Sequence, residues 1–336
     1  MRIAVLEHFT SLPREASACA LLAEGRAMRD AIVADLRRID GVAVEVVHRQ
    51  SDFLAALRQA DAALLIAPEE NEVLARLSRL VERERRILLG PSSSAVSGLS
   101  DKLATARCLA ASGVATPDTR AVPFRSPGRL FEASPPFVVK PRVGCGGRGV
   151  SIVRRRSEAA AALAAVRRAT RRADFLLQAF VEGEAASVSL IVSGRPLDLG
   201  LNRQRLARGA RPAYLGGETF WPHPRSREAI AVAREAITAL ARAREGVRGY
   251  LGVDLVLGRD GATVIEVNPR LTTSYAGLRR SIRENLAGLI LQASAGRALP
   301  ERVTSVGRCR FGANGSIAMR REGWDTISAG TSAASI

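Results

Sequence analysis

Three oxygen-bearing side chains in one short stretch define the chemistry to look for. Within GYLGVDLVLGRDGATVIEVNPR, Val253 to Leu257 and Ala262 to Val267 are apolar, β-rich runs separated by Gly258-Arg259-Asp260-Gly261. That pattern reads as a β-hairpin. A three-residue loop, Arg259-Asp260-Gly261, ends on a glycine able to take a left-handed conformation and pairs Gly258 with Ala262. Asp254 then falls opposite Glu266, and Asn268 follows on the same face because strand side chains alternate. Adjacent carboxylates on an apolar sheet repel each other and are costly to bury. A hard divalent cation removes that cost, and an oxygen-only set suits Mg²⁺ or Mn²⁺ shared with phosphates. Arg270 stands just past Pro269, at the strand exit, placed to hold an anion. The plainer alternative is a half-buried strand with one carboxylate paired to an arginine. Three ligand types in register with an arginine favour the metal.

A second stretch is basic. Phe137-Val138-Val139-Lys140 is an apolar strand with an ammonium at its end, and Gly144, Gly146, Gly147 and Gly149 follow. Glycines let backbone N–H groups close around an anion. The chain returns into Val150 to Val153, giving strand–loop–strand, and lacks the Lys-Ser/Thr ending of a P-loop, which excludes that fold. Lys102 sits in the first turn of a helix opened by Ser100-Asp101, where the helix dipole opposes a cation unless an anion holds it. Of 50 basic residues only Lys102 and Lys140 are lysines, which points to positions that need a compact ammonium rather than a planar fork.

These groups need elements to position them. The first hundred residues alternate strand and helix (Ile3 to Leu6, Ala18 to Ile39, Val42 to Val47, Ala62 to Ile66, Glu72 to Arg85), which implies a parallel, Rossmann-like sheet. No GxGxxG turn follows the first strand, so no dinucleotide is assigned. Glu7, His8, Glu69 and Glu70 lie at strand ends and are candidate substrate contacts. Proline punctuates a loop-rich passage from Pro117 to Pro136. Gln178, Ala179, Phe180 and Val181 form an apolar connector whose main chain can frame an adenine, with Glu184 beyond it for ribose hydroxyls. A plain linker fits that segment equally. Asn202, Arg203 and Gln204 end a strand, and the Gly-rich passage around Tyr214 reads as a substrate loop or a long connection. Thr272, Thr273 and Ser274 follow the metal strand directly and lead into a helix from about Leu278 to Ser294. The last dozen residues read as disordered.

Composition narrows the classes. The chain has 336 residues, 47% hydrophobic and 4% aromatic, enough for two or three domains with a substantial core. No apolar run is long enough to span a bilayer, and the N-terminus is broken too early by Glu7 and His8 for a signal peptide. Cys19, Cys108, Cys145 and Cys309 show no metal-ligand spacing and no disulfide framework, so a reducing cytoplasm is expected. The net charge of +17 suggests nucleic acid, but the arginines are spread over many helices without a zinc-finger or RNA-binding signature. Acidic small-molecule substrates, or simply an arginine-biased composition, account for the charge as well; no nucleic-acid or membrane partner is expected, and a homodimer is left open.

Taken in order, Lys102, Lys140 with its glycine loop, the Gln178–Glu184 connector and Asp254…Glu266-x-Asn268 resemble the ATP-grasp ligases over roughly Asp101 to Ser294. The resemblance implies an α/β fold: a Rossmann-like domain (1–98), a central subdomain with a glycine lid (99–184), a metal- and substrate-bearing subdomain (185–298) and a tail (299–336). It implies ATP and Mg²⁺ or Mn²⁺ as cofactors. Asp254, Glu266 and Asn268 would hold the cation. Lys102, Lys140, the lid glycines and residues 178–184 would hold the nucleotide, and Arg270 with Lys140 would stabilise charge during reaction. Asn202, Arg203, Gln204, Tyr214 and Thr272 to Ser274 are left for substrate, Arg203 as counter-charge to an amino acid's α-carboxylate. Cys145 has no role in that scheme. IAPEENEVL, FVEGEAASVSLIVSG, LGLNRQ, YLGGE, GYLGVD and VIEVNPRLTTSYAGL resemble a branch that joins a glutamate carboxylate to a tyramine- or tyrosine-like amine through an acyl phosphate, in methanofuran-type cofactor biosynthesis. Two alternatives stand: a ligase adding amino acids to a peptide or protein, and an ATP-binding regulatory module.

Overall fold

Two sheets share one hydrophobic core, and a third sheet carries its own. The computed structural model describes residues 1–13, 21–207 and 209–320. In chain order the strands and helices are β1 (Arg2–Glu7), α1 (Leu21–Leu36), β2 (Ala43–Val47), α2 (Phe53–Gln59), β3 (Ala62–Ile66), α3 (Val73–Arg83), β4 (Ile87–Leu88), α4 (Ser93–Ser100), α5 (Lys102–Ala111), β5 (Thr119–Pro123), α6 (Gly128–Glu132), β6 (Phe137–Lys140), β7 (Ser151–Val153), α7 (Ala159–Ala169) and β8 (Asp174–Ala179). They continue as β9 (Glu184–Ser193), β10 (Arg195–Leu206), β11 (Tyr214–Glu218), α8 (Ser226–Ala243), β12 (Gly249–Gly258), β13 (Gly261–Asn268), α9 (Ser274–Ser281), α10 (Leu286–Ser294), β14 (Arg308–Gly312) and β15 (Ile317–Arg320).

The first sheet has the order β2-β1-β3-β4 and is parallel throughout. Its central strands are continuous apolar runs because helices cover both faces. The second sheet, β5-β8-β6-β7, is antiparallel and packs one face on α7 through Val122, Phe137, Val139, Val153, Phe175, Ala162 and Val166. The other face carries Lys140 and Gln178: Lys140 pairs with Leu176 and Val138 with Gln178, so these side chains share a side. The passage read as loop-rich therefore contains a strand and a short helix, β5 and α6.

The third sheet has the order β13-β12-β9-β10-β11-β14-β15. Helix α8 covers one face with Ala229, Ala233, Ala236, Ile237 and Leu240. The 3.6-residue periodicity sets that stripe, and burying each large aliphatic side chain contributes about 1.5–3 kcal/mol. The opposite face packs Ile191, Leu199 and Tyr250 against α9 and α10, in the same core as Ile3, Val5, Ile32 and Leu36 of the first sheet and α1. Asp35 of α1, buried, ties the two units together. It accepts from Tyr275 Oη at 2.8 Å and Arg279 Nη2 at 2.6 Å, while its backbone carbonyl accepts from Asn285 at 2.9 Å.

Four expectations need correction. The hairpin loop has two residues, with Gly258 opposite Gly261 rather than Ala262. Gly261, at φ 135°, makes that tighter turn accessible. The helix expected from Leu278 to Ser294 is two helices, because Asn285 leaves helical geometry and caps α10 through the N–H groups of Ala287 and Gly288. The passage around Tyr214 is a strand. Its glycines serve packing, since a Cβ on Gly217 would lie 2.8 Å from Cζ of Phe311 and one on Gly216 would run into the carbonyl oxygen of Phe311. Phe311 belongs to β14, so the segment read as a tail supplies the last two strands of this sheet. The disorder expected of the final dozen residues, and the first turn expected for the helix from Ala18, lie outside the described residues.

Candidate active site

Strands β12 and β13 present the acidic set. Asp254 is opposite Glu266 and Gly252 is opposite Asn268. A bulge between Asp254 and Leu255 makes up the residue lost in the shorter loop, and such bulges re-aim side chains next to functional sites. Asn268 Nδ2 donates to Asp254 Oδ2 at 3.1 Å, and Gln204 Nε2 donates to Asp254 Oδ1 at 2.7 Å. The ammonium of Lys102 lies 3.5 Å from Glu266 Oε2 and donates to Gly144 O at 2.7 Å. Lys102 is held there because Asp101 caps α5, and Asp101 is itself gripped by Arg142 Nη2 at 2.7 Å. Lys140, 3% exposed, leaves β6 into the same space, between the two sheets.

The charges act on one another. Burial lowers the Lys140 pKa to about 8, with Lys102 adding to the drop and Glu266 and Asp254 opposing it. Asp254 is pushed up to about 7, by burial first and then by the Glu266 carboxylate. Burial would also raise Glu266, but Lys102, Lys140 and Arg270 hold it below its ordinary range. The protein alone thus surrounds Asp254 with too little positive charge to favour its ionised form. Two carboxylates and an amide oxygen converging on that deficit fit a hard divalent cation sharing its shell with phosphates. Among the described residues no group of three or more His, Cys, Asp or Glu forms a metal cluster, so the fit rests on this mixed set.

Arg270 is anchored across the domain boundary: Nε donates to Glu69 Oε1 at 2.9 Å and Nη1 to Leu271 O at 3.1 Å. The glycine loop is folded down over this region. Gly146, Gly147 and Gly149 all have positive φ, near 61°, 69° and 72°. A Cβ on Gly146 would come within 2.7 Å of Leu21, and Arg148 Nη1 donates to Glu70 Oε2 at 3.1 Å. Cys145, buried in the loop, has its thiol pushed up to about 12 by desolvation and is no nucleophile at neutral pH.

On the other side of Asp254 lies a buried polar cluster. Tyr250 Oη donates to Ser189 Oγ at 2.8 Å and is within 3.1 Å of Thr272 Oγ1 and 3.3 Å of Ser274 Oγ. Ser187, opposite Asp254, is paired in turn with Asn202. Asn202 is 0% exposed and neither Oδ1 nor Nδ2 has a hydrogen-bond partner, which is costly unless a ligand or water supplies one. Burial raises the Tyr214 pKa well above its ordinary value, and Asp254, Glu24 and Tyr250 follow as causes, so its phenol stands among these groups. Thr273 Oγ1 donates to Glu24 Oε2 of α1 at 3.1 Å.

The structure thus gathers Lys102, Lys140, Asp254, Glu266, Asn268, Arg270, Gln204, Tyr214 and Thr272 to Ser274 in one region. Arg203 departs from it. Strand alternation turns its side chain to the face of α8, where it lies 3.6 Å from Glu184 and stacks on Trp221. Glu184 also meets His223 Nε2 at 3.2 Å. Gln178 uses its amide on Thr119 Oγ1 at 2.8 Å, and Ala179 N donates to Asp118 O, so the connector's first two residues are partly committed to β5. Phe180 carries Arg154 over its ring, and Val181 links on toward β9. His8 is turned to Gln50, and Glu7 accepts from the N–H groups of Phe9 and Thr10. Glu24, Ser189 and Tyr250 were missed in the sequence. No local pattern marks them, since each acts through a contact made far along the chain.

Comparison with known proteins places this geometry. An ATP-grasp domain model matches residues 99–274, and a pre-ATP-grasp domain model matches residues 26–96. The chain belongs to the ATP-grasp family, and ATP and a divalent metal ion are its cofactors. Within that family it is an ADP-forming carboxylate–amine ligase similar to tyramine–L-glutamate ligases. That of Methanocaldococcus jannaschii is 29% identical over 263 residues, 77% of this chain and 71% of that one. That of Methanocaldococcus fervens is 33% identical over 233 residues, 69% of this chain and 65% of that one. The fold is that of a solved ATP-grasp superfamily protein from Archaeoglobus fulgidus, with a TM-score of 0.66 over 92% of this chain and 91% of that one at 24% identity. No helix among the described residues is long and apolar enough to cross a membrane.

A proton balance follows from the two shifted groups. With Asp254 as the proposed cation ligand and Lys140 as the proposed phosphate ligand, cation binding below about pH 7 would displace a proton from Asp254, and phosphate binding above about pH 8 would recruit one to Lys140. Mg²⁺–ATP affinity should therefore peak between these values and fall by up to about tenfold per pH unit on either side. Calorimetry in buffers of contrasting ionisation heat should show proton release near pH 6 and uptake near pH 9. Binding without proton exchange at either pH would refute the assignment.

Proposed function

We propose that this ligase joins a carboxylate of glutamate to a tyramine-like amine, and that the product serves methanofuran-type cofactor biosynthesis. The activity of the two relatives supports the substrate pair, and the sequence stretches shared with that branch support the pathway. The observation that carries the reading is the strand register that sets Glu266, Asp254, Ser187 and Asn202 in one row, from the phosphate end to a buried polar cluster. Lys102 and Glu266 stand 3.5 Å apart at one end, and the unsatisfied amide of Asn202 waits at the other.

Asp254, Glu266 and Asn268 would hold the cation, which would supply positive charge beside the phosphoryl group of bound ATP. Lys140, from the opposite sheet, and Lys102, from the start of α5, add two ammonium groups already aimed and partly desolvated, so that they act without reorganisation. Asn202 and the Ser189–Tyr250–Thr272–Ser274 hydroxyls orient the amino-acid substrate so that its carboxylate meets the phosphoryl group. Arg270, fixed by Glu69, faces the carbonyl that is activated and then attacked. The loop over 144–149 keeps water from the acyl phosphate, which would otherwise hydrolyse.

The test is a screen of the purified chain with ATP and Mg²⁺. Glutamate is offered with tyramine, with tyrosine and with acidic peptides, and ADP, phosphate and amide are measured. Phosphate release that needs glutamate and tyramine together, with the amide found by mass, is expected. Release that needs a peptide acceptor would replace this reading with peptide ligation. Nucleotide binding without ADP release for any pair would replace it with a regulatory role.

A further inference from the structure

A cleft of about 790 Å³ opens between the turn after β3 and α4 on one side, and the glycine loop and the end of α7 on the other. None of Lys102, Lys140, Asp254, Glu266 and Asn268 lines it. Its carboxylates are all taken by arginine. Glu69 is held by Arg270 at 2.9 Å, Glu70 by Arg148 at 3.1 Å, Glu72 by Arg79 at 3.3 Å and Asp101 by Arg142 at 2.7 Å. The arginines that line the cleft are not all taken in return. Arg172 meets Asp174 at 3.3 Å, and Arg167 lies over the Phe124 ring, which leaves its charge unbalanced. Arg168 and Arg171, both exposed, form no ion pair among the described residues. The helix dipole favours Arg167 and Arg168 in the last turn of α7, but Arg171 stands beyond that end, beside like charges. The surplus charge of the cleft is therefore positive and is concentrated on Arg167, Arg168 and Arg171.

We propose that this cleft binds a compact oligophosphate through Arg167, Arg168 and Arg171, with Arg148 as a further contact, and that its binding unties the glycine loop. The site is separate from the reacting region and does not depend on which substrates are joined there. Guanidinium forks pair with phosphate oxygens two bonds at a time, and linked phosphates pack enough charge into a small volume to meet several forks at once. The cleft has room for such a chain. Arg148 is the link to the loop. Its side chain is 58% exposed and its pair with Glu70 is the weak, solvent-screened kind, which a multiply charged anion displaces. The four arginines all belong to the unit built on the second sheet, whereas Glu70 follows β3 of the first. Turning Arg148 from Glu70 to the anion thus removes a contact across the cleft, and the loop over 144–149 opens more readily with nucleotide still in place.

The probe is inorganic tripolyphosphate, titrated by calorimetry into the full chain whose nucleotide site is already filled by ADP and Mg²⁺. One equivalent should bind, and its affinity should fall as salt rises. Arg168→Glu combined with Arg171→Glu should weaken binding by about 50-fold or more. Arg125→Glu combined with Arg129→Glu removes the same charge from exposed positions of the same unit, outside the cleft, and should weaken it by less than about threefold. Uridine triphosphate separates the two sources of such a ligand: affinity equal to that of tripolyphosphate assigns the site to the tail of a nucleotide, and a loss of about tenfold or more assigns it to a free oligophosphate. Hydrogen exchange at residues 143–150 should quicken when the probe is added, and Arg148→Ala should show that quickening without it. Equal weakening by the two double variants would reduce the effect to general charge attraction and overturn the proposal. So would the absence of binding to the ADP-filled protein, or binding that leaves exchange in the loop unchanged.

Discussion

Replacing Glu266 with glutamine should lower amide formation by about 10²–10³-fold in kcat and should also destabilise the ligand-free protein. The two effects share a cause. Glu266 is the carboxylate that Lys102 and Lys140 hold in its charged form, and it is proposed as a ligand of the cation. Glutamine keeps the shape but removes the charge, so the phosphates lose a bridging cation while two lysines lose their counter-ion. Asp254→Asn should be just as damaging to activity but should raise the melting temperature, because it removes the carboxylate that Glu266 repels. Thermal unfolding and single-turnover assays on both variants decide the matter. Melting shifts of the same sign would show that the pair does not divide its charge in this way.

The second large effect is expected from Lys140→Arg, a change that keeps the charge. Lys140 is buried between sheets, and that burial lowers its pKa to about 8, so the site disfavours a fixed cation that no phosphate accompanies. A guanidinium is larger, planar and unable to shed its proton. Lys140→Arg should therefore cost about 10²-fold or more in kcat/KM for ATP, close to the loss from Lys140→Met. Lys102→Arg should cost less, because that ammonium lies at the edge of the site and reaches a backbone carbonyl that a longer side chain can still meet. Near-normal ATP kinetics in Lys140→Arg would show that the chain's two lysines are retained for some reason other than this pocket.

What the sequence disclosed was what local rules govern. Strand alternation and the spacing from Asp254 to Asn268 placed two carboxylates and an amide on one face, and the scarcity of lysine marked both ammonium groups. The exact loop was not legible, because a two-residue turn plus a bulge and a three-residue turn without one bring the same pair together. The face of Arg203 was hidden for a similar reason: three consecutive polar residues do not reveal which way the strand turns them. Glu24 was invisible because it meets Thr273 across 249 residues of chain. The glycines near Tyr214 suggested a loop or a long connection, whereas they make room for Phe311 of a strand read as tail.

The buried tie from Asp35 to Tyr275 and Arg279 has a mechanical result. With one continuous core running through the first and third sheets, those two units form a single anvil that cannot part without exposing it. The four-stranded sheet bearing Lys140 keeps a separate core and joins the rest through short spans at 112–118 and 180–183. Opening the cleft to let nucleotide in and product out thus falls to that sheet swinging as a jaw about those two hinges.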